Sequence, residues 1–359
     1  MFNSHKRMLS TLLIFAPLLG ASTLATAQGA EETRFAGVTL RVATWGGATR
    51  DALRDHVAAE IEKRGGKVEF VIGSPQDNLA KLIAARGQTP FDLFEFLGTM
   101  RPEIEARGLL SKLNMGNIPN AKVVAALQPN DTMVPTWITQ EMIIYNPERF
   151  KENGIPVPTT LADLRHPKLS GRVMIPDISS GGGIEMVGAF AMTAGGDEVN
   201  IAPGLRLIKE IPNVRFWKAG GEVVNQFKSG DIWAGMAHAG WALRSAKAGA
   251  SVKTVPPKIG SAQGLIKEGF IGVVKGSRHQ AAAEFFINTY LSANGQYQFA
   301  LATAAIPVVP EARAKMSAEP LHKELLVLDA ARINGMVRLN PSKIDLSKWN
   351  EEWNRTITR

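Results

Sequence analysis

The chain contains no cysteine. It therefore forms no disulfide, offers no thiol nucleophile and builds no thiolate metal site, and its stability must come from packing. Tyrosine is scarce, limited to the separated Tyr145, Tyr290 and Tyr297. Long blocks of one charge are also missing. The formal charge is +8, but Lys and Arg alternate with Asp and Glu along most of the chain, the pattern of a solvated surface. No nucleic-acid motif is present, so no nucleic-acid partner is expected. Gly-x-Ser-x-Gly, His-Glu-x-x-His and P-loop patterns are absent, and the six histidines are scattered. An exported hydrolase, the rival functional class, thus has no positive signal, and no catalytic residue, cofactor or metal site is expected.

What is present begins at the N-terminus. His5, Lys6 and Arg7 precede an apolar stretch over residues 8–20, broken by Pro17 and short for a bilayer span. Ala25-Thr26-Ala27 then supplies a small-x-small cleavage pattern. Residues 1–27 read as a cleavable signal peptide, with an uncleaved anchor as the alternative. The expected product is a soluble periplasmic chain starting at Gln28, without the cysteine that a lipoprotein anchor needs. The full sequence is 45% apolar and 21% charged, an ordinary globular composition for two domains or one large one.

Strand-like and helix-like stretches alternate. Residues 39–44, 67–72 and 91–96 read as strands, with helical patterns at 51–63 and 78–85 between them. This βαβαβ order implies a parallel sheet with covering helices. A connecting region over 114–129 leads to a strand at 137–145. A second alternating unit follows: strands at 172–176, 214–218, 232–237 and 252–255, and helices at 184–193, 202–211, 222–228 and 239–248. A strand at 270–274 opens a largely helical tail, with helices at 281–291 and 296–302. The fold class is α/β with two lobes, each a mainly parallel sheet flanked by helices, and a hinge between them. Ligands of open α/β sheets bind beyond the strand carboxyl ends. The cleft should collect Trp45-Gly46-Gly47, Gly73-Ser74, Leu97-Gly98-Thr99, residues 177–183 and residues 238–241.

Several pieces, in order, resemble the periplasmic solute-binding proteins of ABC importers, in the group that includes spermidine/putrescine-binding proteins. They are Val42-Ala43-Thr44-Trp45-Gly46-Gly47, Phe91-Asp92-Leu93-Phe94-Glu95, Ile143-Ile144-Tyr145-Asn146, Pro158-Thr159-Thr160-Leu161-Ala162-Asp163-Leu164, Gly171-Arg172-Val173, Gln226-Phe227-Lys228-Ser229-Gly230-Asp231-Ile232 and Lys267-Glu268-Gly269. The resemblance implies a type II periplasmic-binding fold whose lobes close on a solute by hinge bending. Lobe 1 is expected to begin with residues 28–140 and lobe 2 to hold 141–258. Residues 259–359 would cross back, complete lobe 1 and supply C-terminal helices. Crossings are placed at 139–145 and 265–273. The implied partners are a permease, contacted directly, and an ATPase, and the implied state is a monomer. Ferric iron does not fit, because relatives that bind it use adjacent tyrosines.

Each candidate site residue carries two readings. Trp45, between a strand end and two glycines, can pack on aliphatic carbons or attract an ammonium; the alternative is a core Trp beside a turn. The resemblance places it at the polyamine binders' first-loop Trp. Trp137 lines the cleft or fills the hinge. Trp241 faces the cleft or packs on the sheet. Trp217, Trp233, Trp349 and Trp353 read as core. Asp177 aligns with an amine-binding carboxylate of that group, or caps the following helix. Glu95 points inward or outward with strand alternation. Ser179-Ser180-Gly181-Gly182-Gly183 can present backbone N–H groups to an anion, or is an ordinary loop. Arg50 and Arg244 can serve an anion or sit on exposed helix faces. His238 stands where the polyamine binders place a Trp. The implied solute is a polyamine-type amine such as spermidine or putrescine; a zwitterion or organic anion, such as an amino acid or aminophosphonate, is the alternative.

Overall fold

The computed structural model describes Met1, residues 33–128 and residues 130–358. Apart from Met1, the signal peptide expected at 1–27 lies outside the described residues, as does Gln28. Among the described residues no helix is long and apolar enough to cross a membrane.

Two parallel strand trios are joined by a pair of long strands. The first trio is β1 (Thr39–Thr44), β2 (Lys67–Ile72) and β3 (Leu93–Leu97), with β1 central. Next come β4 (Val134–Tyr145), β5 (Val173–Pro176), β6 (Arg215–Trp217), β7 (Ala234–His238), β8 (Lys253–Val255) and β9 (Leu265–Val273). The order across the sheet is β2-β1-β3-β9-β4-β7-β5-β6, with β8 beside β4. β9 runs antiparallel to both β3 and β4. The far half of β4, from Glu141 to Tyr145, pairs antiparallel with β7, and β5 lies parallel to β7 and β6.

The apolar core changes along β4. Val134, Trp137, Ile138 and Met142 pack with β1, β3 and the helices Gln280–Tyr290 and Ala293–Thr303. Ile143 and Tyr145 pack with β5 and the helix Gly183–Thr193. Ile144 faces the opposite side, with Met174, Trp217 and Phe227. The C-terminal helix Leu346–Thr356 buries Trp349 and Trp353 in the cluster of Ile143. Trp217 is buried as well, while Trp233 is only partly so and lies beside the Arg172 guanidinium.

Local chemistry explains most boundaries. Ser74 caps Pro75–Ala84 by accepting from the Asp77 N–H at 3.1 Å, and Pro75 takes the first helical position. The helical pattern at 51–63 is interrupted: Ala48–Leu53 and Ala59–Glu62 are α-helical, but Arg54–Ala58 forms a π turn. The buried pairs Ala52-Leu53 and Val57-Ala58 recur five residues apart, the interval that an i→i+5 turn aligns. The strand expected at 270–274 begins earlier, at Leu265. Its polar residues find partners inside the structure, Lys267 with Glu141 and Glu268 with Arg338.

Candidate functional site

The site forms where β4 and β9 join the trios. Alternate residues of a strand share a face, so Trp137, Thr139 and Glu141 stand in a row on β4. The register adds neighbours on that face. Gly269 lies opposite Trp137, Lys267 opposite Thr139, and His238 opposite Glu141.

One end of the row is aromatic. Trp45, half-buried just past β1, meets Trp137 edge-on, with ring centroids 5.5 Å apart and planes at 68°. The Trp137 Nε1–H donates to Glu95 Oε1 at 2.9 Å. Its ring fills the space above Gly269, where a Cβ would come within 2.0 Å of the indole. Glu95 also accepts from the hydroxyls of Thr44, Thr136 and Tyr290. It is buried, and burial pushes its carboxyl above the ordinary value despite these donors. Glu95 therefore lies behind Trp137 and orients its ring. Gly46 and Gly47 are exposed at the rim. Gly47, with φ 61° and ψ −137°, opens the helix Ala48–Leu53 in a conformation that a side chain would strain.

The middle of the row is charged and dry. Lys267 Nζ donates to the Gly181 carbonyl at 2.6 Å and lies 3.4 Å from Glu141 Oε1. Their side chains are 7% and 0% exposed. Glu185, buried in the first turn of Gly183–Thr193, acts on both through its charge. Burial raises the pKa of Glu141 even against the attraction of Lys267. Burial pulls Lys267 down, but the two carboxylates outweigh it and leave its pKa raised. Glu141 Oε2 is buried and has no hydrogen-bond partner among the described residues. It lies against Gly182, where a Cβ would sit 3.4 Å away.

The other end combines His238, Trp241 and Arg244. His238 caps the helix Ala239–Lys247, its Nδ1 accepting from the Gly240 N–H at 3.1 Å, which leaves the ring proton on Nε2. Burial, with Lys267 and Arg244 nearby, lowers its pKa well below 6.5, so the ring is neutral. The Trp241 ring lies 5.3 Å from that of His238 and packs over Gly220. The Arg244 guanidinium lies 4.3 Å from the centre of the Trp241 ring. Arg244 is thus half-buried and stacked, not on an exposed helix face. Arg50 pairs with Asp51 at 2.7 Å.

The glycine-rich loop covers this face in an unexpected sense. Asp177 Oδ1 accepts from the Ser179 N–H at 2.9 Å and from its hydroxyl at 2.6 Å. The Ser180 N–H goes to Asp177 O, Gly182 to Ser180 Oγ, and Gly183 to Ser180 O. Backbone donors at residues 179, 180, 182 and 183 are therefore used inside the turn. Asp177 caps that turn and not the helix, whose N-cap is Gly182. What the loop presents to the row is the Gly181 carbonyl.

A family model for bacterial extracellular solute-binding proteins matches residues 57–324. The chain belongs to that family. Solved structures share its fold with 99% of their own length covered and 89% of this chain. A putative extracellular solute-binding protein from Bordetella parapertussis has a TM-score of 0.73 at 20% identity, and a putative spermidine/putrescine ABC transporter protein from Listeria monocytogenes 0.73 at 18%. The solute-binding protein AgtB from A. tumefaciens R10, in complex with agropinic acid, has a TM-score of 0.65 at 18% identity, over 90% of this chain and 97% of its own. A comparison with curated protein sequences finds no match. The fold is accordingly the two-lobed periplasmic-binding type, and it is shared by relatives named for an amine and for an acid.

In this solute-binding protein the row combines Trp45, Trp137 and His238 from the sequence-based candidates, with Gly181 above and Trp241 at its end. It does not engage the Asp177 carboxylate, and Glu95 serves from behind. Glu141, Glu185 and Lys267 were missed. The available signal was alternation: a strand over 137–145 puts Glu141 on the face of Trp137. Two open depressions elsewhere have different surroundings. One, of about 580 Å³, is lined by Thr39, Arg41, Asp92 and Arg278, at the strand amino ends away from Trp45. The other, of about 740 Å³, is lined by Pro156, Asp163, His166 and Glu210.

Proposed function

We propose that this protein is the substrate-binding component of an ABC-type importer and that it captures a small organic amine on the row from Trp45 to Trp241. The observation that carries the reading is Glu141 Oε2, a buried carboxylate oxygen without a donor. Such an atom is costly to bury, and a solute ammonium would supply the missing donor. The tryptophan pair offers apolar surface and π faces to the carbon chain beside that ammonium. Putrescine and spermidine belong to this class, as the Listeria relative's name suggests. Arg244, stacked at the far end, supports a second reading in which the solute also carries an acidic group, as in an amino acid or aminophosphonate.

The chain is exported to the periplasm through the leader at 1–27, works as a monomer without catalysing a reaction, and delivers its solute to a permease driven by an ATPase. Lobe 1 begins with residues 28–140, lobe 2 holds 141–258, and 259–359 crosses back, completes lobe 1 and supplies the C-terminal helices. The change of core in the same strand, between Met142 and Ile143, supports a boundary close to this one. The test is a thermal-shift screen of polyamines, amino acids, aminophosphonates and organic acids, with mass spectrometry of any solute retained through purification. Compounds bearing an ammonium should raise the melting temperature without product formation. Stabilisation by organic acids alone would overturn the amine reading.

A further inference from the structure

We infer that Lys267 is an internal ammonium that sets the charge of the solute, leaving the site one uncompensated carboxylate and so room for a single solute ammonium rather than the two of a diamine. The inference rests on the amine reading above. Glu141 stands in the middle of the row, and Glu185, buried in the first turn of the helix that follows Gly181 and Gly182, adds a second carboxylate whose charge acts on Glu141 and Lys267. Lys267, itself buried, sits 3.4 Å from Glu141, hydrogen-bonded to Gly181 O, and neutralises one negative charge. The three groups together keep one negative charge, and Glu141 Oε2 is the carboxylate oxygen among them that is buried without a donor.

Among the described residues, neither direction along the row offers a second anionic partner. Toward Trp45, the Glu95 carboxylate is closed off behind Trp137, whose indole N–H it accepts. Toward Trp241, the neutral His238 leads to the cationic Arg244. A second ammonium on a short chain would meet aromatic faces or a like charge. The favoured solute class is a primary ammonium with an uncharged or acidic remainder, and Lys267 is the residue that enforces it.

The probes are butylamine, putrescine and butyrate, which share a four-carbon chain, titrated calorimetrically against wild type, Lys267→Met and Glu185→Gln. Wild type should bind putrescine no more than a few-fold tighter than butylamine. Lys267→Met restores the second negative charge and should shift the preference toward putrescine by about tenfold or more. Glu185→Gln leaves no net charge and should weaken both amines about tenfold without changing their ratio. A tenfold preference for putrescine in wild type, or an unchanged ratio in folded Lys267→Met, overturns the inference while leaving the amine reading intact. If Lys267→Met does not fold, Glu185→Gln decides, and unchanged butylamine affinity there overturns the inference. Binding of butyrate alone, or of none of the three, removes the amine reading and the inference with it.

Discussion

Replacing Glu141 with Gln keeps the shape of the side chain and removes its charge. A hydrogen bond to a charged group contributes about 1.5–3 kcal/mol, so an amine held by Glu141 should bind roughly ten- to a hundredfold more weakly. The pH dependence is a sharper criterion. Binding an ammonium requires the ionised carboxylate, and burial holds the Glu141 pKa above its ordinary 4.5. Amine affinity in wild type should therefore be flat at high pH and fall as pH drops through that raised value, beginning above 4.5. The Gln variant should lack this slope. Stability shows the opposite trend. A carboxyl with a raised folded pKa contributes stability fully below its unfolded value and loses it as pH rises through the folded one. Across that window the variant should gain stability relative to wild type. Calorimetric titration of a bound amine from pH 4 to 8, with denaturant melts of the free proteins, measures both. Equal affinity and an equal pH slope in the two proteins would refute the assignment of Glu141 to the site.

Trp45→Ala should weaken amine binding by up to about thirtyfold, the value of a desolvated cation–π contact, with little loss of stability because Trp45 is half-buried. Trp353→Ala, at 2% exposure in the core, should instead cost about 3–5 kcal/mol in a denaturant melt and leave the affinity of the folded fraction unchanged. Gly269→Ala places a Cβ 2.0 Å from the Trp137 ring, so overpacking of about 1–3 kcal/mol should accompany a change in near-ultraviolet dichroism; an unchanged spectrum and melt would contradict the packing. Glu95→Leu leaves the donors of Thr44, Trp137 and Tyr290 without their acceptor. It should destabilise by about 1–3 kcal/mol per orphaned group, and a stability equal to wild type would mean that Glu95 is not the anchor of the Trp137 ring.

The α/β alternation was legible because each strand and helix has its own apolar period and its own cap, such as Ser74 before Pro75. The joining strands were legible as apolar runs, and Trp45 stood out by its glycines. The charged row was not. Glu141 and Lys267 are about 126 residues apart in the chain, and each alone looks like a polar interruption of a strand. Only the pairing of β4 with β9 makes them partners. Glu95 was visible, but its direction depended on which neighbours closed over it. Trp137 and Tyr290, from two distant segments, supply that answer. Arg244 looked exposed because the helix around it is amphipathic, whereas its stacking depends on Trp241 three residues earlier.

The glycine-rich loop shows how a local rule can be met and still give the wrong sign. A Ser-Ser-Gly-Gly-Gly stretch before an apolar helix suggests free N–H groups at a positive helix end, and so an anion. Here Asp177 and Ser180 supply acceptors within the turn, and the donors at 179, 180, 182 and 183 are used there. The Gly181 carbonyl faces the row, where it accepts from Lys267. The loop thus adds an acceptor to a face that already holds Glu141. Against these acceptors the middle of the row provides one ammonium, that of Lys267. A solute that brings another donor completes the hydrogen bonding of this face; one that brings only acceptors leaves Glu141 Oε2 buried without a partner. That imbalance favours a cationic group at the centre of the row, whatever the rest of the solute carries.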